Sequence, residues 1–185
     1  MADRSGPLVG LKVLEFTGPL FSPVVGRRLS ALGAEVVRID HKGAEAQPER
    51  GVRSAALDFD KPSAIEACLK LIHRADALID GLGPGGAERL GFGPDIAFAR
   101  NPALVFARLI GSDEADAAHL ALGVIAAVMH ARAAGEGQVV ETGPELWFSR
   151  TPGAFDPRRS SGRELLSDWG FKTAEIDALE RQEVL

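Results

Sequence analysis

The chain holds one cysteine, Cys68, in 185 residues, so no internal disulfide can form. Cys68 lies among Ile65, Ala67, Leu69, Leu71 and Ile72, a setting that reads as a buried, inert thiol and not a nucleophile. No apolar run reaches the ~20 residues a membrane-spanning helix needs. The most apolar stretch, Leu120 to Met129, is half that and is flanked by His119, His130 and Arg132, so a buried helix is expected there. The start, Met1 to Gly10, does not read as a secretory signal, which points to a cytoplasmic protein with no membrane partner. An excess of positive charge is also missing. The formal net charge is −5, which argues against a general nucleic-acid binder but not against a small anion held at a local basic patch. The four histidines, His41, His73, His119 and His130, lack metal-ligand spacing supported by cysteine or carboxylate neighbours, so no metal site is expected. Neither a Walker loop nor a Gly-x-Ser-x-Gly elbow occurs.

What the chain does hold is ordinary globular material, 45% apolar and 25% charged, enough for one domain with at most a small appendage. Strand-like and helix-like signals alternate. Leu11 to Phe16, Ala34 to Ile39, Ala55 to Phe59, Ala77 to Asp80 and Leu104 to Ile110 read as strands. Ser22 is placed as the cap of a helix whose first residue is Pro23 and which Gly33 ends. Pro62 to Arg74 reads as an amphipathic helix, with Ile65, Leu69 and Ile72 on one stripe. Ala87 to Leu90 is predicted as a short helical turn inside a glycine-rich stretch, Gly81 to Gly93. Ala115 to Ala134 is predicted as a long helix, apolar nearly all round and buried on several sides. Gln138 to Glu141 is a further strand signal.

Strands joined through helices imply a parallel sheet with right-handed crossovers. Ligands of such sheets bind outside the carboxyl ends of the strands, here the loops starting at Thr17, Asp40, Asp58, Asp80 and Gly111. The expected organisation is a core over residues 1–141, an extended connection over 142–162 rich in proline and glycine, and C-terminal helices over 163–185 packing on the core. The two terminal helices are placed at Arg163 to Trp169 and Thr173 to Glu183, the second capped by Thr173.

The loop Gly18 to Gly26, between a strand and a helix, together with Asp40 mimics a dinucleotide fold. Its spacing fails the G-x-G-x-x-G pattern, and its prolines remove backbone donors that a pyrophosphate uses. Arg38 is placed at the end of the second strand, in a stretch (27–53) with six Arg or Lys against four Asp or Glu. Two readings stand for it: a forked contact to a phosphate, or a solvated arginine paired to Asp40 or Glu35.

Several strings in order resemble the CaiB/BaiF family, the class III CoA-transferases that include α-methylacyl-CoA racemases. They are Gly6-Pro-Leu-Val-Gly-Leu-Lys-Val-Leu-Glu-Phe16, Leu29-Ser-Ala-Leu-Gly-Ala-Glu-Val-Val-Arg-Ile-Asp40, Arg74 to Gly85 followed by Glu88-Arg-Leu-Gly91, and Asn101-Pro-Ala-Leu-Val-Phe-Ala-Arg108. Ala121 to Val128, Gly135-Glu-Gly-Gln138, Phe148 to Gly153 and the tail from Leu165 continue the likeness in pieces.

The resemblance implies a Rossmann-like parallel sheet flanked by helices, the large-domain core of CoA-transferase family III. It implies coenzyme A or acyl-CoA as the ligand, with Thr17, Gly18, Arg38, Ala56, Leu57, Asp58, Lys61, Leu82, Gly83 and Arg89 on the cofactor side. Two cations of the family's strings are replaced, by Phe59 and by Gly83. The family's small domain, normally found near Glu141 to Trp147, and the stretch near Gly111 that carries its catalytic aspartate are both missing. Asp113 is the nearest substitute for that catalytic carboxylate. The expectation is a truncated, weakly catalytic or non-catalytic CoA-binding homologue. The alternatives are an active acyl-CoA transferase or α-methylacyl-CoA racemase, and a non-catalytic partner-binding module. The partners implied are a CoA thioester, and either a second copy of the chain or a full-length relative.

Overall fold

The computed structural model describes residues 5–18, 22–43, 51–110, 114–142, 146–153 and 161–182. Its centre is a seven-stranded sheet in the order β3-β2-β1-β4-β5-β6-β7. The strands are β1 (Lys12–Phe16), β2 (Glu35–His41), β3 (Val52–Leu57), β4 (Ala77–Asp80), β5 (Val105–Arg108), β6 (Val139–Glu141) and β7 (Trp147–Phe148). All neighbouring pairs are parallel except β6 and β7. The first six strands therefore run in the doubly wound order, whose switch point lies between β1 and β4.

Alternation along β1 explains why both sheet faces are covered. Val13 packs with one apolar cluster, and Leu14 and Phe16 with the other, as period-two side chains require. The first cluster includes the buried residues of α1 (Ser22–Ala31) and α5 (Glu114–Ala134). The second takes those of α2 (Pro62–Ile72), α3 (Gly86–Arg89) and α4 (Pro94–Arg100). Proline at the first turn of α2 and of α4 fits their starts, since the missing N–H has no helical partner there. Cys68 is buried on α2 and burial pushes its thiol up to about 11, as an inert core thiol requires.

Several expectations shift. β2 runs on to His41, because β3 begins at Val52 and pairs with it as far as Leu57. Arg38 is therefore inside the strand and not at its end. The stretch placed as a bare connection contributes β7, antiparallel to β6. A helix not foreseen, α4, follows α3. Helix α5 buries one face only, through Ala117, Leu120, Val124, Ala127 and Ala131. Leu122 and Met129, 60% and 70% exposed, lie on the outward side. α5 packs on α1, β5 and β6. It is nonetheless the one helix among the described residues long and apolar enough to cross a membrane.

The chain divides into two compact units, Met1–Gly153 and Ala154–Leu185. The second holds α6 (Gly162–Asp168) and α7 (Thr173–Arg181). Ser161 and Glu164 cap α6 reciprocally, Ser161 Oγ accepting the Glu164 N–H and the Glu164 carboxylate accepting the Ser161 N–H. At α7 the Glu175 carboxylate accepts the Lys172 N–H at 2.8 Å, which moves the cap one residue before the expected Thr173. Arg163 joins α6 to Asp177 and Glu180 of α7.

Candidate functional site at the carboxyl edge of the sheet

At the switch point the turn after β1 meets the turn after β4. A Cβ on Gly18 would overlap the Gly81 carbonyl and the Leu82 backbone, so the two turns touch backbone to backbone and only glycine fits at 18. Thr17 spends its hydroxyl on Asp40, donating to Oδ1 at 2.5 Å, and its N–H on the Ile39 carbonyl at 3.2 Å. Arg38 is 3% exposed, with Nε 3.5 Å from Asp40 Oδ1. It is thus paired to Asp40 but not solvated, and Glu35 instead takes Arg53. The other described arginines of the basic stretch, Arg27 and Arg28, pair with Glu114. Arg38 and Asp40 lie on the face that carries α1, by strand parity with Val36 of that cluster.

The opposite face holds a groove of about 390 Å³, lined by Phe59, Asp60, Pro62, Ile65, Glu66, Leu69, Arg89 and Leu90. Of the expected cofactor-side residues only Arg89 lines it; Asp58 and Lys61 flank its lining residues Phe59, Asp60 and Pro62, Ala56 and Leu57 end β3, and Leu82 and Gly83 lie outside the lining. Asp58 tightens that loop by accepting the Asp60 N–H at 3.3 Å. Phe59 turns into the core, its ring centroid 6.3 Å from that of Phe16 and 5.5 Å from that of His41. A lysine's ammonium could not be housed there without a large desolvation cost. Lys61 is exposed at the start of α2. Arg89 is exposed and donates to the Pro84 carbonyl at 3.0 Å. Gly83 has φ +86°, a conformation that the arginine of the family string would adopt only with strain. Thr17, Gly18 and Arg38 do not line this groove, and Asp113 lies outside the described residues.

The sequence reading missed a charge network on the same face, at the ends of β4, β5 and β6. Asp80 is 1% exposed; its Oδ1 accepts the Leu82 N–H at 3.1 Å and its Oδ2 lies 3.6 Å from Arg108 Nε. Arg108 also reaches Glu88 at 2.5 Å and Glu141 at 3.2 Å. Burial pushes the Asp80 carboxyl up, against the Leu82 N–H and Arg108. Burial also opposes the charge on Arg108, but Glu88, Asp80 and Glu141 together carry its pKa above the ordinary arginine value. The signal was available: Asp80 and Arg108 are the last residues of neighbouring strands and sit opposite in register. Among the described residues, no group of His, Cys, Asp and Glu is arranged to hold a metal ion.

Residues 8–115 match the model of CoA-transferase family III, a span that runs from before β1 through β5 and into α5. The chain belongs to that family. It is 34% identical over 127 residues to a probable fatty acyl-CoA transferase, Rv3272, of Mycobacterium tuberculosis, covering 58% of this chain and 32% of that protein. It is 36% identical over 106 residues to the alpha-methylacyl-CoA racemase of Mus musculus, covering 56% of this chain and 28% of the racemase. A crystal structure of Rv3272 superposes with a TM-score of 0.69 at 28% identity, covering 76% of this chain and 54% of the other. The chain spans about a third of the length of these curated relatives. All the expected cofactor-side residues fall inside the family match.

Proposed function

We propose that this chain is a CoA-binding scaffold of CoA-transferase family III, holding the nucleotide end of CoA or an acyl-CoA, with little or no catalysis of its own. The observation that carries the reading is the groove between Phe59 and Arg89, on the face and edge where a parallel sheet presents its ligands. It has apolar walls in Phe59, Ile65 and Leu69 and a cation on its rim in Arg89, a combination suited to a base with phosphates beyond it. The named relatives support the choice of ligand. A fatty acyl-CoA transferase, an alpha-methylacyl-CoA racemase and a formyl-CoA:oxalate CoA-transferase differ in their acyl groups, yet each matches 56–60% of this chain. What their names share is CoA.

Weak catalysis rests on the state of the carboxylates. Attack on a thioester or abstraction of an α-proton needs a carboxylate or base open to substrate. Among the described carboxylates at the strand ends, Asp40 is engaged by Thr17 and Arg38, while Asp80, Glu88 and Glu141 surround Arg108. Asp60 and Glu66 line the groove and disfavour a polyphosphate deep inside it, which keeps the expected affinity modest.

Calorimetric titration of the full chain with CoA, dephospho-CoA and ADP tests the reading. Binding of CoA without exchange of CoA between thioesters is the expected result. Absence of binding by all three at millimolar concentration overturns it. Exchange that disappears in Asp113→Asn would make Asp113 the catalytic carboxylate and the chain an enzyme.

A further inference from the structure

Leu82, Gly83 and Arg89 stand on a glycine-rich segment with few side chains of its own to fix its shape. Residues 81, 83, 85 and 86 are all glycine, and Gly83 and Gly85 have φ of +86° and +66°. Its backbone is braced by Gly81 N–H to the Phe16 carbonyl at 3.0 Å, Gly86 N–H to the Gly83 carbonyl at 2.9 Å and Arg89 N–H to the Gly85 carbonyl at 3.0 Å, and the Leu82 N–H donates to Asp80 Oδ1 at 3.1 Å. The ionic ties converge on one side chain. Arg108, at the end of β5, hydrogen-bonds Glu88 through one terminal nitrogen and Glu141 through the other, and holds Asp80 as an ion pair with Nε 3.6 Å from Oδ2. Asp80 immediately precedes the glycine segment, Glu88 lies in the one-turn helix that closes it, and Glu141 steadies the guanidinium from β6. The cation also lies 5.4 Å from the centroid of the buried Phe106 ring, which limits its freedom to swing.

We propose that Arg108 is a positioning residue for the nucleotide-side loop, gripping both ends of the 81–88 segment and so setting where Leu82, Gly83 and Arg89 stand. A planar fork with donors on three sides can span carboxylates from three elements, and a lysine's single ammonium cannot. Arg89 depends on the grip at one remove, because its side chain is anchored on the Pro84 carbonyl within the segment. The structural half of the proposal is independent of any ligand. Its consequence for affinity rests on the CoA-binding reading above.

The test pairs amide hydrogen exchange with CoA titration on the full chain, for the native protein, Arg108→Gln, Arg108→Lys and Glu88→Gln. Arg108→Gln is expected to speed exchange at Leu82 and through 83–89 by about tenfold or more, with β1 and β2 unchanged, and to weaken CoA binding about tenfold. Arg108→Lys should restore only a minor part of both. Glu88→Gln, at a half-exposed position that keeps its shape, should loosen the distal end alone and carries the test if Arg108→Gln does not fold. Unchanged exchange in the segment overturns the proposal. A loosened segment with unaltered CoA affinity overturns its functional half. If the native protein binds no CoA, the binding reading fails while the exchange data still decide the grip.

Discussion

Two arginine–aspartate pairs stand at the same edge of the sheet and differ in almost everything else. Arg38 and Asp40 are two residues apart on one strand, share a face and are sealed at 3% and 5% exposure, with the Thr17 hydroxyl completing the set. Arg108 and Asp80 sit across from each other on neighbouring strands, and the Arg108 side chain keeps 20% of its surface and two further carboxylates. The first pair is locked by its own strand and the helix over it. The second joins two strands to a glycine-rich turn and a one-turn helix. A buried pair within one element adds rigidity. A pair that reaches into a loop lets the rigid sheet dictate where the loop stands, which is what a binding site needs from its scaffold.

The contrast can be broken by experiment. The largest effect is expected from Arg38→Ala, which strands Asp40 in the interior and should cost ~3–5 kcal/mol in urea unfolding. Arg108→Gln should cost less, ~1–3 kcal/mol, because Asp80 keeps the Leu82 N–H and the other two carboxylates, Glu88 and Glu141, are partly exposed to water. Equal losses would erase the distinction. Next is Gly18→Ala, where the new methyl must push the turn after β1 off Gly81. A loss of ~1–3 kcal/mol is expected, together with weaker CoA binding. Arg89→Ala, at an exposed position, should leave the melting temperature alone and weaken CoA binding about tenfold. An unaltered titration would remove Arg89 from the site.

The smallest effect has the most informative sign. Burial raises the folded-state pKa of Asp80 above 3.8. Its contribution to stability is then full below the unfolded value and is lost as pH rises through the folded one. At neutral pH the ionised carboxylate carries a penalty that an amide does not. Asp80→Asn should therefore raise the melting temperature slightly at pH 7, and the gain should close as pH falls. A loss at pH 7 would mean that Arg108 stabilises the ionised carboxylate more than burial opposes it.

Much of the fold was legible beforehand. Leu11 to Phe16 and Ala77 to Asp80 announce strands by apolar runs of the right length, and Pro62 with its stripe of Ile65, Leu69 and Ile72 announces α2. Those signals are local, so no other part of the chain was needed to read them. Arg38 was misplaced because its strand ends where its neighbour ends, and pairing with β3 is a long-range fact. Helix α5 looked apolar all round, but how many of its sides are covered depends on which layers lie beside it. Phe59 was recognised as a lost cation, yet only the packing against Phe16 and His41 shows that its replacement serves the core.

Composition and order of motifs were sufficient for the family and the parallel sheet, because periodicity, turn residues and short strings are carried by neighbours in the chain. Which side chains share a groove, and which arginine is sealed while another grips a loop, was settled by register and strand parity. Asp80, Arg108 and Glu141 are distant in sequence and meet only because β4, β5 and β6 end side by side.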